Sequence, residues 1–244
     1  VPSGTESLVH ANTAYEGGGG IYVDEYSQVS INNATIQYNE VFNDRTVGGE
    51  NGTGGGIMVD GNNPAASVAV WLHNTNVLAN IASFGGGAYV DRAVAFEVDT
   101  SLFVGNWARW GGGGLHIQND AVDAVLTDNS TGAEEDMTRS YWINESAFIG
   151  NRAAPLFGVY DNDDRPYGGG IYSLNGALWV QHSIFHANSA PYGPAYVDDI
   201  DILTFATVDG SGNVTFPTDQ PNYAPYVARM LVFNSIIDGN AWYN

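Results

Sequence analysis

The sequence predicts an all-β protein, a right-handed parallel β-helix of about seven coils with inserted loops, which forms one domain over residues 1–244. Two repeated signatures and one strand pattern support this prediction. The first signature is a run of three or four glycines followed by a short apolar segment, at residues 17–20, 54–56, 85–87, 111–114 and 168–170, with a degenerate copy at 192–198. The second is an apolar residue three positions before an asparagine, in the pairs Val9/Asn12, Ile36/Asn39, Val77/Asn80, Phe103/Asn106, Phe148/Asn151, Phe185/Asn188 and Ile237/Asn240.

The spacing of the asparagines indicates the length of one repeat. The shortest interval is 26 residues, between Asn80 and Asn106. Longer intervals indicate insertions, predicted at residues 40–53, 118–138, 152–167 and 198–227. Within one unit, the segments VAVWLHN, TNVLAN and GGGAYVD alternate apolar and polar residues between turn residues. Three short strands in each unit, repeated along the chain, predict stacked β-helix coils.

The two signatures are predicted to occupy different corners of the coil. Because coils stack about 4.8 Å apart, an asparagine at one fixed position can hydrogen-bond the same amide in the next coil. We therefore predict an amide ladder formed by Asn39, Asn80, Asn106, Asn151 and Asn188. The glycines are predicted to form a tight corner, where positive φ or a crowded backbone excludes Cβ.

The glycine runs do not match a phosphate-binding loop. Such loops follow a strand, open a helix and usually supply a lysine. Here the run at 111–114 precedes the apolar segment 115–117, and the chain has no lysine.

The paired FxxN and GG[AIL] motifs resemble the repeats of chlamydial polymorphic outer-membrane proteins and related autotransporter-type surface proteins. The resemblance covers most of the chain and implies a β-helix at the cell surface. It implies no single activity, because adhesins, surface filaments and carbohydrate-active enzymes all use such solenoids. The expected function is therefore that of an extracellular structural or adhesive β-helix that binds partner subunits or glycans.

The charge balance excludes several classes of partner. The net charge is −20, from seven arginines against 27 acidic residues. Nucleic acid and anionic membranes need clustered cationic side chains, so neither is an expected partner. No apolar run is long enough to predict a membrane span. The chain has no cysteine, so the stacking of its coils must provide stability without disulfide bonds.

A row of carboxylates is predicted three positions after the first residue of each apolar segment. It comprises Asp24, Asp60 and Asp91 in the first three copies. Like charges in successive coils repel each other, so backbone N–H groups at a turn or a bridging cation must offset the repulsion. Calcium, which prefers oxygen ligands, is the candidate cofactor, and turn-capping aspartates are the alternative.

A second row is predicted to point outward, between inward apolar neighbours. It contains Tyr22, Met58, Tyr89, His116, Tyr172 and Tyr196. Stacked aromatic residues either stabilise the flank of a β-helix or form an exposed binding surface for sugar rings or another subunit. Trp107, Arg109 and Trp110 are predicted at the rim of this row, where indole faces suit sugar stacking and cation–π contact.

The alternative function is that of a carbohydrate-active enzyme, a polysaccharide lyase or glycoside hydrolase. Paired carboxylates could then act as acid and base. The candidates are Asp161, Asp163, Asp164 and Arg165 in one insertion, with Asp198, Asp199 and Asp201 in another. Two observations weigh against this alternative. The chain has no lysine and its arginines are scattered, so no cationic cluster is available to hold a substrate. Its acidic charge would also repel acidic polysaccharides.

Two further features bear on location and assembly. Sequons for N-glycosylation occur at Asn33, Asn51, Asn129, Asn144 and Asn213, which is meaningful only for a secreted protein. Both ends of the sequence fall within a coil and show no polar capping element. Uncapped coils would expose strand edges, so the sequence predicts a segment of a longer chain or a stacked assembly, with further β-helix or other subunits at both ends.

Overall fold

The computed structural model describes residues 6–42, 52–61, 68–93, 95–118, 140–154, 166–174, 177–199, 207–208, 214–215 and 229–242. Within these ranges the chain forms four parallel sheets, A to D, whose strands stack in register, and the predicted right-handed parallel β-helix is confirmed. Each coil runs through the sheets in the order A, B, C, D. None of the described residues belongs to a helix of the length and hydropathy that a membrane span requires.

Sheets A and B contain seven strands each. Sheet A comprises Ser7–His10, Ala34–Gln37, Asn76–Leu78, Leu102–Val104, Ala147–Ile149, Ile184–His186 and Ile236–Asp238. Sheet B comprises Thr13–Ala14, Glu40–Val41, Ile81–Phe84, Trp107–Gly111, Arg152–Ala153, Ser189–Ala190 and Ala241–Trp242.

Sheets C and D contain six strands each. Sheet C comprises Ile21–Val23, Ile57–Asp60, Ala88–Asp91, Leu115–Gln118, Ile171–Leu174 and Tyr196–Asp199. Sheet D comprises Gln28–Asn32, Ala69–His73, Ala95–Asp99, Ser140–Asn144, Ala177–Gln181 and Arg229–Phe233. A short antiparallel hairpin, Thr207–Val208 with Val214–Thr215, lies between the last strands of sheets C and D in the sequence.

The prediction of three strands per coil is wrong, because each coil has four. The additional strand belongs to sheet B, for example Ile81–Phe84, and it directly precedes the glycine run. Most strands of sheet B have only two residues, too few for an alternating pattern to identify them in the sequence.

The corners on both sides of sheet A are tight and regular. The D–A and A–B connections are one or two residues long in every coil that the structure describes. Each contains a residue with positive φ, such as Asn74 (47°) before sheet A and Ala79 (50°) after it. Such residues reverse the chain without a loop, and the coils can therefore stack closely.

The core is a set of inward-facing ladders. Aliphatic side chains from sheets C and D pack against phenylalanines from sheet A. Phe148 stacks between Phe103 and Phe185, with ring centroids 4.7 and 5.2 Å apart, and all three rings are buried. Because each inward position repeats one coil later, one residue type stacks on itself along the axis.

A second polar ladder, of hydroxyl groups, lies at the D–A corner. The backbone N–H of Ser101 donates to Oγ of Ser146 at 3.0 Å, and that of Ser146 donates to Oγ of Ser183 at 3.2 Å. Thr75 and Ser235 continue the row in the same way. With the asparagines at the A–B corner, this ladder brackets sheet A between two lines of satisfied polar groups.

Candidate binding surfaces

The buried asparagines form a continuous ladder at the A–B corner. The side-chain Nδ2 of Asn106 donates to Oδ1 of Asn151 at 2.9 Å and to the carbonyl oxygen of Val77 at 2.9 Å. The backbone N–H of Asn106 also donates to the same Oδ1 at 3.1 Å. The fully buried members, all 0% exposed, are Asn39, Asn80, Asn106, Asn151 and Asn188. Each interior amide has both donors and its acceptor paired, so the row is structural and offers no free polar group to a ligand.

The glycine run of one coil shows why each of its members lacks a side chain. Gly85 has a φ of 61°, which reverses the chain after sheet B. A Cβ on Gly86 would overlap the carbonyl oxygen of Trp107, and one on Gly87 would lie 3.1 Å from Cγ of Asn106. The run is therefore a close-packed corner against the next coil, and its third glycine lies against the asparagine ladder.

The outward row of sheet C is covered in its middle. Tyr22, Met58, Tyr89, His116 and Tyr172 lie in register in successive strands. Tyr22 is 50% exposed, whereas Tyr89 is 7% and His116 is 2% exposed. The imidazole of His116 packs against Tyr89, Tyr172 and Phe84, with ring centroids 4.8, 4.9 and 5.2 Å away. This burial contradicts the expectation of a continuous exposed aromatic surface at Tyr89.

Burial also decides the protonation state of His116. Removing the imidazole from water disfavours its charged form and lowers its pKa to about 3. The ring is therefore neutral at physiological pH and acts as part of an aromatic cluster.

The placement of Tyr196 in this row is wrong by one residue. In the last strand of sheet C, Tyr196 pairs with Ile171, and Val197 pairs with Tyr172. Tyr196 therefore occupies an inward position and packs against the core, with its ring 6.2 Å from that of Phe185. A shift of one residue in a strand moves every side chain to the opposite face.

Each aspartate of the predicted carboxylate row interacts with a neighbouring group of the protein. Asp60 and Asp91 lie in register, but Asp60 accepts a hydrogen bond from the Tyr22 hydroxyl, and Oδ1 of Asp91 lies 3.3 Å from Nε of Arg92. Burial, together with the hydrogen bond to Asp60, raises the pKa of Tyr22. Asp24 follows its strand and accepts from the backbone N–H of Glu25 at 2.9 Å. Among the described residues, no group of three or more acidic, histidine or cysteine side chains is placed to hold a metal ion.

The residues predicted at the rim lie on sheet B and its outer corner. The guanidinium of Arg109 lies 4.6 Å from the ring centroid of Trp110, and Trp110 itself is buried. Trp107 is half-buried in the outward row, in register with Ile81 and Arg152. The structure thus brings Arg109 and Trp110 together as a cation–π pair.

Two tyrosines continue this corner. The ring of Tyr167 lies 5.4 Å from that of Tyr192 and 5.6 Å from that of Tyr172, and all three side chains are half-buried. The backbone N–H of Tyr167 donates to the carbonyl oxygen of Trp110 at 2.9 Å. A cluster of aromatic residues therefore lines the B–C corner in successive coils.

A tryptophan row on the outer face of sheet D is absent from the predicted sites. Trp142 and Trp179 occupy paired positions and stack with ring centroids 5.2 Å apart and planes 12° apart. Trp71 lies two strands before Trp142, with Glu97 between them. The segments VWLH, YWIN and LWVQ share this position, a repeat that could have revealed the row. Because Trp142 and Trp179 cover each other's faces, this pair mainly stabilises the sheet.

Several predicted residues cannot be placed. Asp161, Asp163, Asp164, Arg165 and Asp201, and the sequons at Asn51, Asn129 and Asn213, lie outside the described residues. Asp198 and Asp199 lie in the last strand of sheet C, but their side chains are outside the description.

The two described sequons lie at the D–A corner. Asn33 is exposed, with a φ of 52°. Asn144 donates to Oδ1 of Asp99 at 2.8 Å, and the hydroxyl of its sequon residue Ser146 belongs to the buried ladder. The hydroxyl ladder thus accounts for Ser146 of this sequon.

Comparison with known proteins yields no relative: no family model matches the chain, and neither a curated protein nor a solved structure does.

Proposed function

We propose that this protein is an extracellular structural and adhesive β-helix, and that the insertions on one side of the solenoid bind glycans. The observation that carries the proposal is the uneven distribution of the connections. All those longer than two residues lie at the two ends of sheet C, including 42–56 and 154–170 before it and 119–139 and 200–228 after it. A rigid rod that concentrates its long connections at the two ends of one sheet has the organisation of a recognition scaffold.

The chemistry around these insertions favours sugars over charged polymers. The net charge of −20 opposes acidic polysaccharides and nucleic acid. Aromatic side chains line the B–C corner: Tyr167, near the end of the insertion 154–170, and Tyr192, in the short connection of the next coil, are both partly exposed. Aromatic rings with a polar edge suit the apolar faces and hydroxyl groups of neutral sugars.

The surface location rests on the repeat signatures. The FxxN and GG[AIL] motifs resemble those of polymorphic outer-membrane and autotransporter-type surface proteins, and this likeness supports an extracellular or cell-surface role. A filament or a larger surface protein would use the same stacking of coils.

The chain contains a short connection that can replace a long insertion in a test of this proposal. Residues 119–139 connect sheets C and D in one coil, whereas the dipeptide 175–176, Asn-Gly, makes the same connection in the next coil. Replacing 119–139 by Asn-Gly removes the insertion and uses a connection that this chain already has between the same two sheets. The wild type and this variant are compared on an array of neutral, amino-substituted and acidic oligosaccharides, after circular dichroism has shown that both are folded.

We expect the wild type to bind neutral or amino-substituted sugars, and the exchange to weaken that binding at least tenfold. The variant Gln28→Glu, on the exposed face of sheet D, is the matched control and should bind as the wild type does. The variant Tyr167→Ala, at the B–C corner, should weaken binding as well. A wild type that binds no sugar would refute the proposal, as would an exchanged variant and a Tyr167→Ala variant that both bind as the wild type does.

A further inference from the structure

The outer face of sheet D holds two tryptophans on either side of a glutamate. Trp71, Glu97 and Trp142 occupy the same outward position in three successive strands of this sheet. All three side chains are partly exposed. We call these three residues the tryptophan clamp, because two indoles of one row bracket a single carboxylate.

The two indoles of the clamp belong to strands that are two coils apart. Trp142 stacks on Trp179 with ring planes 12° apart, so one face of Trp142 is covered and the other is turned toward the strand of Glu97. Neighbouring strands lie about 4.8 Å apart, which separates the strands of Trp71 and Trp142 by about 9.6 Å. An indole of Trp71 parallel to that of Trp142 would therefore bound a slot whose midplane is about 4.8 Å from each ring.

The carboxylate of Glu97 is the available charge beside this slot. It has no hydrogen-bond or ion-pair partner among the residues that the structure describes. Asp99, two positions along the same strand, accepts hydrogen bonds from Nδ2 of Asn144 at 2.8 Å and from Oγ1 of Thr100 at 3.0 Å. Its Oδ2 also lies 2.8 Å from Nδ1 of His73. The three strands of the clamp contain no arginine and the chain has no lysine, so the Glu97 carboxylate favours a cation from outside.

We propose that the tryptophan clamp binds a small organic cation through a trimethylammonium group. A cation within about 6 Å of an indole centroid is attracted by the negative face of the ring, and quaternary ammonium groups are recognised in this way. A trimethylammonium group at the midplane of the slot lies about 4.8 Å from both rings, inside that range. Glu97, whose side chain is shorter than an indole, supplies the opposite charge from the floor of the slot.

Spacing and charge select this group over other ligands. A planar guanidinium stacks at about 3.5–4.0 Å, so it would contact only one of two rings that are about 9.6 Å apart. A primary ammonium is compact and strongly hydrated, and it gains less from an aromatic face. Anions are repelled by Glu97 and by the net charge of −20. The clamp lies on strands and does not rest on the glycan binding proposed for the insertions.

The test uses choline as the probe and the full chain as the protein. NMR follows the indole N–H signals of the six tryptophans during a titration. Choline should shift the signals of Trp71 and Trp142 and leave those of Trp107 and Trp110 in place, with a dissociation constant of about 1 mM, the weak end of the affinity scale. Two further probes should bind about fivefold more weakly or less: ethanolamine, and the uncharged isostere of choline in which a tert-butyl group replaces trimethylammonium.

Two variants locate the site on the clamp. Trp71→Leu should raise the dissociation constant of choline about tenfold, and Glu97→Gln about fivefold. Glu40→Gln removes the same charge from sheet B and should leave that constant unchanged. Circular dichroism establishes that each variant is folded, and the comparison of probes uses the wild type alone.

Three results would overturn the proposal. They are a wild type in which choline shifts neither Trp71 nor Trp142, an ethanolamine that binds as tightly as choline, and folded Trp71→Leu and Glu97→Gln variants that both bind choline as the wild type does. Phosphatidylcholine vesicles identify the source of the group when choline binds. Co-sedimentation that free choline reverses assigns it to a lipid headgroup, and choline binding without co-sedimentation assigns it to a soluble molecule.

Discussion

Asn106 and Asn151 are joined by two hydrogen bonds to a single oxygen. Oδ1 of Asn151 accepts from Nδ2 of Asn106 at 2.9 Å and from its backbone N–H at 3.1 Å. Oδ1 of Asn106 accepts the same pair of bonds from Asn80, both at 3.0 Å. The ladder therefore ties the backbone of each coil to the side chain of the next, and removing one amide affects two coils.

Replacing Asn106 by leucine should lower the free energy of unfolding by about 1–3 kcal/mol, because the buried donors of Asn80 lose their acceptor. Urea denaturation followed by circular dichroism measures the change. Asn12→Leu is the matched control, since Asn12 occupies the same position in the first coil but is exposed. Equal costs at the two positions would contradict the assignment of the cost to buried donors.

Gly87→Ala should destabilise the solenoid by about 3 kcal/mol or more, because overpacking forces the backbone to shift. The new Cβ would overlap the carbonyl oxygen of Gly114 and lie 3.0 Å from Cδ1 of Phe103. Gly105→Ala is the control: Gly105 has a φ of 64° but open space around it, and alanine occupies the same position at Ala79. We expect a cost of about 1 kcal/mol for the control. Thermal melting compares the two, and the reverse order would refute this explanation of the glycine run.

Phe148→Ala should cost about 3–5 kcal/mol, because a fully buried ring is removed from the middle of a stack and a cavity remains. Phe42→Ala, at an exposed phenylalanine, should change the free energy of unfolding by less than about 0.5 kcal/mol. Urea denaturation measures the change in the free energy of unfolding for both variants. A small effect at Phe148 would mean that the coils can collapse around the lost ring.

His116 should make stability depend on pH. Its pKa is about 3 in the folded protein and 6.5 in the ordinary, solvated state. The unfolded chain therefore binds a proton that the folded chain excludes, and the stabilisation present above pH 6.5 is lost as the pH falls toward 3. The slope is about 1.4 kcal/mol per pH unit within that window.

The measurement compares melting at pH 7.5 and pH 5.0. His116→Phe keeps an aromatic ring in the cluster and should reduce the difference between the two conditions. The same substitution at exposed His10 should leave the wild-type pH dependence in place. If the His116 variant retains the full pH dependence, other groups account for it.

The sequence was sufficient to predict which residues face the interior of each coil. Phe103 and Asn106 recur at one spacing because each inward side chain packs on its counterpart one coil away, so the repeat encodes the contact directly. The hydroxyl ladder was encoded equally well, since Ser101, Ser146 and Ser183 each precede the phenylalanine by two positions. Because serine and threonine are also common in turns, this spacing does not by itself distinguish a buried ladder from a turn.

The outward half was less predictable, because an outward residue is covered or exposed according to neighbours from other parts of the coil. Tyr22 and Tyr89 occupy equivalent positions, yet only Tyr22 is exposed. Tyr89 and Tyr172 flank His116 in the adjacent strands of sheet C, and Phe84 contacts the same ring from the short strand of sheet B before the glycine corner.

By itself, the sequence determined the β-helix, the asparagine row and the need for glycine at the corner, because these depend on contacts between identical positions of successive coils. The tertiary structure alone decided the register of Tyr196, the burial of His116 and the exposure of Leu102 and Ile184 on sheet A. Each of these depends on how different sheets of the coil meet. The physical reason is that stacking along the axis is periodic and is written into the repeat, whereas packing across a corner is not periodic and appears only when the coil has closed.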